Sequence, residues 1–364
     1  MKANKGHHKR GDEPPVEPPR TEESLRTEEP PRAEDDEDRL LPGLPRYVRI
    51  NTIKAGKKAV NKHLASAGYH HCPDHKHPGN RAFYHDGDVP DLLVFKPKGQ
   101  SDVSRIPYTR SGELVIQQKA SCFPAIALAP PPGATVIDAC AAPGNKTSHL
   151  AAVMNNRGRV VAFEHNERRC NLLRRMMATK GASIVECVHG SFLDAAPDDP
   201  RYADVTHVLL DPSCSSSGMS RTSLNEPSAL QELADTQVAL VLHAMRFPAV
   251  RVVCYSTCSI HQIENESVVR RVLTSTQQRD FELAVAMPSW GRRGHLLPDG
   301  ERTEAERIAR CTVRSAYPED GTIGFFLAKF VRGEEPTAGA ELEAKMRSLE
   351  QSRSKRGKKR SRGS

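Results

Sequence analysis

No apolar run in this 364-residue chain approaches the roughly 20 residues a helix needs to cross a bilayer. The N-terminal stretch has no apolar core of the signal-peptide kind. The expectation is an intracellular, soluble protein with no membrane partner. Its nine cysteines are odd in number and show no framework spacing, which argues against a disulfide-stapled secreted domain and makes reduced thiols the default. A histidine-rich stretch, His70, His71, Cys72, His75 and His77, has no paired Cys-x-x-Cys to complete a zinc site, and Pro73, Pro78 and Gly79 make it a loop; no metal is expected. The glycine-bearing turn at 140–146 has neither Gly-x-Gly-x-x-Gly nor a Walker spacing before Lys146, so it is not a dinucleotide or P-loop phosphate cradle.

The net charge of +8 is unevenly placed. Residues 1–44 hold eight Lys/Arg and twelve Asp/Glu, with many prolines and almost no apolar side chains before Leu40. Such a segment cannot bury enough surface to offset its chain entropy and is expected to be disordered. A basic tail follows residue 333 and contains Arg353-Ser-Lys-Arg-Gly-Lys-Lys-Arg-Ser-Arg362. It too is expected to be disordered, and it reads as a nuclear or nucleolar address that adds salt-sensitive phosphate contacts. With 37% hydrophobic residues, the stretch between these ends suffices for one or two domains.

Ordered sequence is expected from Leu44 to Lys54, a strand on which Tyr47, Arg49 and Asn51 form a basic, polar face opposite Val48 and Ile50. A helix over 59–67 and a strand over Asp91–Phe95 complete a small α/β subdomain at 45–118. From Gly133 the pattern becomes strand, loop, helix, repeated. Strands are expected at 134–139, 159–164, 184–189, 206–211 and 250–255, and helices at 146–154, 168–180, 230–245 and 264–273. Alternation of this kind implies a parallel sheet with helices on both faces. A final antiparallel addition is expected from 281–284 and 323–331. In such sheets ligands bind at the carboxyl ends of the strands, where the chemistry-bearing residues cluster.

Three constellations stand there. Val136-Ile-Asp-Ala-Cys-Ala-Ala-Pro-Gly-Asn-Lys-Thr147 is a strand entering a small-residue turn and then a helix; small residues admit a ligand to the backbone, and the helix N-terminus suits an anionic group. The next strand ends at Glu164, a carboxylate able to grip a ribose diol. A third strand delivers Asp211 and then Cys214 in Asp211-Pro-Ser-Cys-Ser-Ser-Ser-Gly218, while Val252 to Thr257 delivers Cys258 just before acidic residues open a helix. A lone cysteine is more often a small buried hydrophobe than a nucleophile. Two strand-end cysteines at one sheet edge with a carboxylate between them are a far less ordinary coincidence, and a helix start beside a thiol can lower its pKa. Cys140, Cys170, Cys187 and Cys254 read as core.

These motifs, Asp-x-Cys-Ala-Ala-Pro-Gly-x-Lys-Thr, Asp-Pro-x-Cys-Ser and Tyr-Ser-Thr-Cys-Ser followed by Glu-Asn-Glu, resemble those of the Sun-type RNA cytosine-5 methyltransferases over about residues 45 to 332. Details such as Pro-Gly-Asn-Lys-Thr-Ser-His-Leu-Ala-Ala look most like the subgroup that modifies large-subunit ribosomal RNA. The resemblance implies a Rossmann-like class I methyltransferase domain at 119–333, doubly wound and mostly parallel with an antiparallel last strand. The 45–118 subdomain then binds RNA. The implied cofactor, S-adenosyl-L-methionine, falls to Cys140, Ala141, Ala142, Pro143, Gly144, Asn145 and Lys146, with Glu164 on the ribose, Arg169 nearby and Asp211 beside cofactor and base. Cys258 is the implied nucleophile at carbon-6 of cytosine, and Cys214 assists breakdown of the adduct. Asp211 holds the ring and Lys146 orders the site. Because the base must leave its stack, single-stranded or looped RNA is the expected substrate, and ribosomal RNA or a pre-ribosome in the nucleolus the expected partner of a monomer.

Three positions depart from the family pattern: Ser191 stands where an acidic residue is usual, with Asp194 close by; Ser216 stands where glycine is usual; and Gln118 replaces a common aspartate. Three other readings stay open on the sequence: a tRNA substrate, a non-catalytic ribosome-assembly factor, and a nucleophile at Cys214, as DNA cytosine methyltransferases place theirs in a Pro-Cys.

Overall fold

The structure, a computed structural model, describes residues 41–72, 81–97, 103–219, 226–275 and 280–333. The basic tail, most of the acidic N-terminal segment, and His75 and His77 of the histidine-rich stretch lie outside these residues. Leu44 is buried in one core with Tyr47, and its N–H donates to the Leu41 carbonyl.

The first layer contains β1 (Arg46–Ile50), α1 (Lys57–Ser66), β2 (His70–His71), β3 (Ala82–His85), β4 (Leu92–Phe95), α2 (Pro107–Ser111) and β5 (Leu114–Ile116), the strands lying in the order β2-β3-β4-β1-β5. Val48 and Ile50 of β1 point into a core with Val60 and Leu64 of α1, Phe83 and Leu93. The opposite face corrects the sequence reading. Arg49 and Asn51 are not presented to solvent; they are buried against the second domain, at 1% and 0% exposure. Arg49 donates through Nε to Gln117 Oε1 at 2.8 Å and through Nη2 to Ser148 Oγ at 3.0 Å. Asn51 Nδ2 donates to the carbonyls of Gly112 and Lys180 at 2.8 and 2.7 Å. These bonds partly offset the cost of burying the charge, although Arg49 Nη1 has no hydrogen-bond partner, and the polar face read from the alternation is a polar seam.

The second domain follows with α3 (Lys119–Leu128), β6 (Thr135–Asp138), α4 (Asn145–Val153), β7 (Arg159–Glu164), α5 (Glu167–Lys180), β8 (Val185–His189), β9 (Val205–Leu210), α6 (Pro227–Met245), β10 (Val252–Thr257), α7 (Glu266–Thr274), β11 (Phe281–Ala284), α8 (Arg302–Cys311), β12 (Val313–Ser315) and β13 (Phe325–Arg332). The strand order is β11-β13-β10-β9-β6-β7-β8, with β12 paired to β13. Strands β6 to β10 are mutually parallel, and β13 runs against β10. β11 is antiparallel to β13, so it shares the direction of the parallel strands; β13 alone carries the reversal along this path.

β6, β9 and β10 are almost wholly buried, as strands covered on both faces must be. Alternate residues serve different cores. Val136, Leu209 and Cys254 pack toward α3 and α4, while Ile137, Val208 and Tyr255 pack toward α6 and α7. α5 shows why its ends fall where they do: Asn166 caps its first turn by accepting from the Arg169 N–H, and Gly181 closes it at φ +68°. Three helices were not foreseen: the five-residue α2, α3 and α8. α3 is buried on nearly every side and holds Pro124, so it shows no apolar stripe; α8 buries mainly Ala305, Ile308, Ala309 and Cys311 among charges. Cys170 and Cys254 are core residues as expected, whereas Cys187 on the edge strand β8 and Cys140 in the turn after β6 are only half-buried.

Candidate active site

The sheet order reverses between β6 and β9, opening a crevice at the carboxyl ends of the parallel strands. The loops after β6, β7, β9 and β10 all face it. β9 stops at Asp211 because Pro212 has no N–H to continue the ladder. Asp211 Oδ1 accepts from Ser256 Oγ at 2.7 Å, and its other oxygen meets Lys146 Nζ at 2.5 Å. Burial disfavours the Lys146 charge, yet the Asp211 carboxylate holds its pKa above the ordinary value. Lys146 is therefore a fixed cation across the floor of the site.

The two strand-end cysteines meet, with Sγ of Cys214 3.3 Å from Sγ of Cys258. They are electrostatically unlike. The hydrogen bond from Cys214 lowers the Cys258 pKa, against burial and the Asp211 charge, with help from Ser216 and Lys146. The same hydrogen bond, together with burial, pushes Cys214 well above the ordinary thiol value. With the Cys214 S–H donating, the arrangement favours the anion on Cys258 over the anion on Cys214.

What holds these loops together was only partly visible in the sequence. Glu264, fully buried, accepts from Ser215 N at 2.9 Å and Gln237 Nε2 at 3.2 Å through Oε1, and from Ser215 Oγ at 2.6 Å and Ser259 Oγ at 2.5 Å through Oε2. Ser215 follows Cys214 and Ser259 follows Cys258, so one carboxylate grips both cysteine loops. The Gly218 N–H donates to the Cys258 carbonyl at 2.8 Å, closing the same junction. Behind it, Arg314 donates to both oxygens of buried Glu266 at 2.7 and 2.6 Å and to the Ile260 carbonyl at 2.8 Å. The Glu-Asn-Glu motif signalled that something acidic mattered here; Gln237 and Arg314 carried no sequence signal.

On the other side of the crevice the residues fit the implied cofactor. Asp138 Oδ2 accepts from Thr147 Oγ1 at 2.7 Å, while its buried Oδ1 has no hydrogen-bond partner, and burial pushes its carboxyl up to about 7. Glu164 ends β7 as a buried carboxylate that accepts from Asn166 N at 2.9 Å. S-adenosyl-L-methionine offers an ammonium group and ribose hydroxyls, donors that match these acceptors. Gly144 turns the loop at φ +100°, a conformation strained for any other residue, and a Cβ there would also press the side-chain ends of Met177 and Leu173 at 2.5 and 2.7 Å. Arg169 donates to the Ala142 carbonyl at 2.9 Å and stands 3.5 Å from Glu164, bracing the loop. Ala141 and Ala142 are buried and small, Cys140 half-buried, and Pro143 exposed at the turn. Burial and Asp138 raise the Cys140 pKa, so it stays a thiol.

The Asn145 side chain is turned to the interdomain seam, with Oδ1 accepting from Lys180 Nζ at 2.8 Å and Nδ2 reaching the Ile116 carbonyl at 3.4 Å, so it is the backbone of Asn145 that is left to the turn after β6. Ser191 accepts from the Leu193 N–H at 3.2 Å as the cap of a short 3-10 turn, Phe192–Asp194, whose Asp194 is exposed.

A doubly wound sheet in this order, with its loops gathered at the switch point, defines a Rossmann-like methyltransferase. The model of the family described as 16S rRNA methyltransferase RsmB/F matches residues 125–331, more than half of the chain, and the chain belongs to that family. Residues 44–117 match the ferredoxin-like domain of NOL1/NOP2/Sun domain family member 5. A mouse protein named 28S rRNA (cytosine-C(5))-methyltransferase is 39% identical over 83% of this chain and 65% of its own length. An Arabidopsis thaliana protein named 25S rRNA (cytosine-C(5))-methyltransferase NSUN5 is 40% identical over 79% of this chain and 49% of its own. The chain thus spans about half to just under two-thirds of these relatives. A solved Pyrococcus horikoshii methyltransferase homolog superposes with a TM-score of 0.65 at 26% identity, covering 82% of this chain and 88% of that one.

Proposed function

We infer that the protein methylates carbon-5 of a cytosine in RNA, large-subunit ribosomal RNA above all, with Cys258 as nucleophile. The pairing of Cys214 and Cys258 at 3.3 Å carries this reading, because a protein that only bound RNA would need neither thiol. The names of the mouse and Arabidopsis relatives support the reaction and the kind of RNA. The basic tail and those names together support a nucleolar setting.

Carbon-5 of cytosine is a poor nucleophile. Attack of the Cys258 thiolate on carbon-6 breaks the 5,6 double bond and places the electron pair at carbon-5. Asp211, fixed by Lys146 and Ser256, accepts a hydrogen bond from the ring and keeps it in line with the thiolate. When bound, S-adenosyl-L-methionine supplies a methyl group as an electrophile through its sulfonium. Loss of the carbon-5 proton to a base then restores the double bond and expels Cys258.

Cys214 suits that last step for an electrostatic reason. Its pKa is raised first by the hydrogen bond with Cys258. Once Cys258 sulfur is bonded to carbon-6 it carries no charge and no acidic proton. That cause disappears, and Cys214 becomes the easier thiol to ionise. Having released its own proton to solvent, the Cys214 thiolate accepts the carbon-5 proton and passes it to the departing Cys258 sulfur, which restores the starting thiol pair once the product leaves.

The test uses labelled S-adenosyl-L-methionine and ribosomal RNA from cells lacking the protein, with wild type and Cys258→Ala. Label in RNA from wild type alone is the expected result. Label from neither, with RNA binding retained, would refute the enzymatic reading; label from both would refute the nucleophile.

A further inference from the structure

Ser216 sits in the turn after Cys214 with φ +56°, in the left-handed region that a residue with a Cβ enters at a cost. Glycine enters it freely, and glycine is what the family pattern implies here. The serine brings a hydroxyl instead, and its Oγ lies 3.6 Å from Sγ of Cys258, within hydrogen-bonding reach of sulfur. The turn is pinned on both sides of it. Ser215 is held by Glu264, the Gly218 N–H by the Cys258 carbonyl at 2.8 Å, and the Ser216 carbonyl accepts from Met219 N at 3.0 Å. The hydroxyl is thus carried by a loop docked onto the backbone of the very cysteine it touches.

We propose that the Ser216 hydroxyl is part of the activation of the nucleophile: it donates a hydrogen bond to the Cys258 thiolate and sets the pH at which that sulfur becomes reactive. This rests on Cys258 as the nucleophile. Four groups face its sulfur: Cys214 from the loop after β9, Asp211 from the end of β9, Lys146 from α4, and Ser216. Cys214 and Lys146 favour the anion, and the Asp211 charge opposes it. Ser216 carries no charge, so its help is insensitive to salt. In the neutral thiol the S–H donates to Oγ; on ionisation the roles invert and the hydroxyl donates to sulfur. Because a stabilised thiolate is also a weaker nucleophile, the gain is confined to pH values where the thiol would otherwise stay protonated.

The full chain is compared with Ser216→Gly and Ser216→Ala. The rate of Cys258 alkylation by iodoacetamide is measured against pH, the site being followed by peptide mass mapping, and methyl transfer to RNA is measured in parallel. Both variants lose the hydroxyl; Gly relieves the left-handed strain and Ala keeps it. The expected result is the same in both: the inflection moves to higher pH, and alkylation at neutral pH slows roughly 3–10-fold. The high-pH plateau stays equal to or above that of wild type. A shift in Ser216→Gly alone would place the effect in the backbone and overturn the proposal, as would an unchanged inflection in both. Methyl transfer surviving in Cys258→Ala would instead remove the nucleophile reading, and with it the catalytic meaning of the hydroxyl. The alkylation profiles do not depend on that reading, so the two failures are told apart.

Discussion

Removing the charge from Glu264 is the perturbation that most directly tests how the two thiols are placed. Four donors converge on this fully buried carboxylate, two on each oxygen, and they come from both cysteine loops and from Gln237 of α6. Glu264→Gln keeps the shape. Its amide nitrogen must face one pair of donors, and the hydroxyls of Ser215 and Ser259 are the pair able to rotate and accept instead. The loss is then mainly charge assistance. Hydrogen bonds to an ionised group are worth about 1.5–3 kcal/mol and neutral ones about half that, so over four bonds the variant forfeits about 3–6 kcal/mol. If half of that falls on the placement of the two sulfurs, adduct formation slows roughly 10–150-fold, at tenfold per 1.36 kcal/mol.

The assay is the rate of covalent complex formation on RNA carrying 5-fluorocytidine, where fluorine at carbon-5 cannot leave as a proton does and the adduct accumulates. It is run well below the melting temperature of the variant, so that loss of fold does not enter. A lower melting temperature with a wild-type adduct rate would refute the reasoning, because Glu264 would then stabilise the fold without placing the sulfurs. Glu264→Ala, which removes the acceptor that the two loops share and orphans the Ser215 N–H, is expected to be worse in both measurements.

The same geometry sets other outcomes. Cys214→Ala is expected to accumulate an RNA–protein covalent complex through Cys258 on a gel, whereas Cys258→Ala forms none; the opposite pattern would move the nucleophile to Cys214. Gln118 occupies the cap position of α3 in extended conformation without a side-chain cap hydrogen bond, so Gln118→Asp is expected to raise stability by about 1 kcal/mol in denaturant melts. Asp138 has its pKa raised from 3.8 to about 7, chiefly by burial. A raised carboxyl favours folding fully below its unfolded value and loses that contribution as pH rises through the folded one. Stability without added cofactor should therefore fall between about pH 4 and 7, by at most a few kcal/mol, and Asp138→Asn should flatten that fall in denaturant midpoints taken across the window.

The catalytic sheet was legible because its strands announce themselves twice, as near-continuous apolar runs and by the residues at their carboxyl ends. Val205–Leu210 ends at Asp-Pro and Val252–Thr257 at Cys-Ser; the helix between them is long, and the short one that follows is strongly amphipathic. The two cysteines could be assigned to one sheet edge by topology alone. Their separation, and the inequality of their pKa values, depend on Ser215, Ser259 and Gln237 converging on Glu264, a tertiary meeting that no spacing encodes. The same limit explains Arg49 and Asn51. Alternation shows that two residues share a face, but it cannot say whether water or another domain covers that face. Ser216 was visible as an oddity where glycine is usual; that its hydroxyl reaches Cys258 required the left-handed turn to be seen.

The seam behind β1 has a mechanical consequence. Arg49 reaches α4 at Ser148, Asn51 reaches the end of α5 at Lys180, and Lys180 in turn holds Asn145, the first residue of the helix after the cofactor loop. Prising the small sheet from the large one would strip buried, partly charged groups of their partners at once, so relative motion of the two sheets is costly. We propose that RNA gripped by the small sheet is held at a constant offset from the thiol pair. A nucleotide would then be selected as a calliper selects, by the span between a grip and a point of reaction.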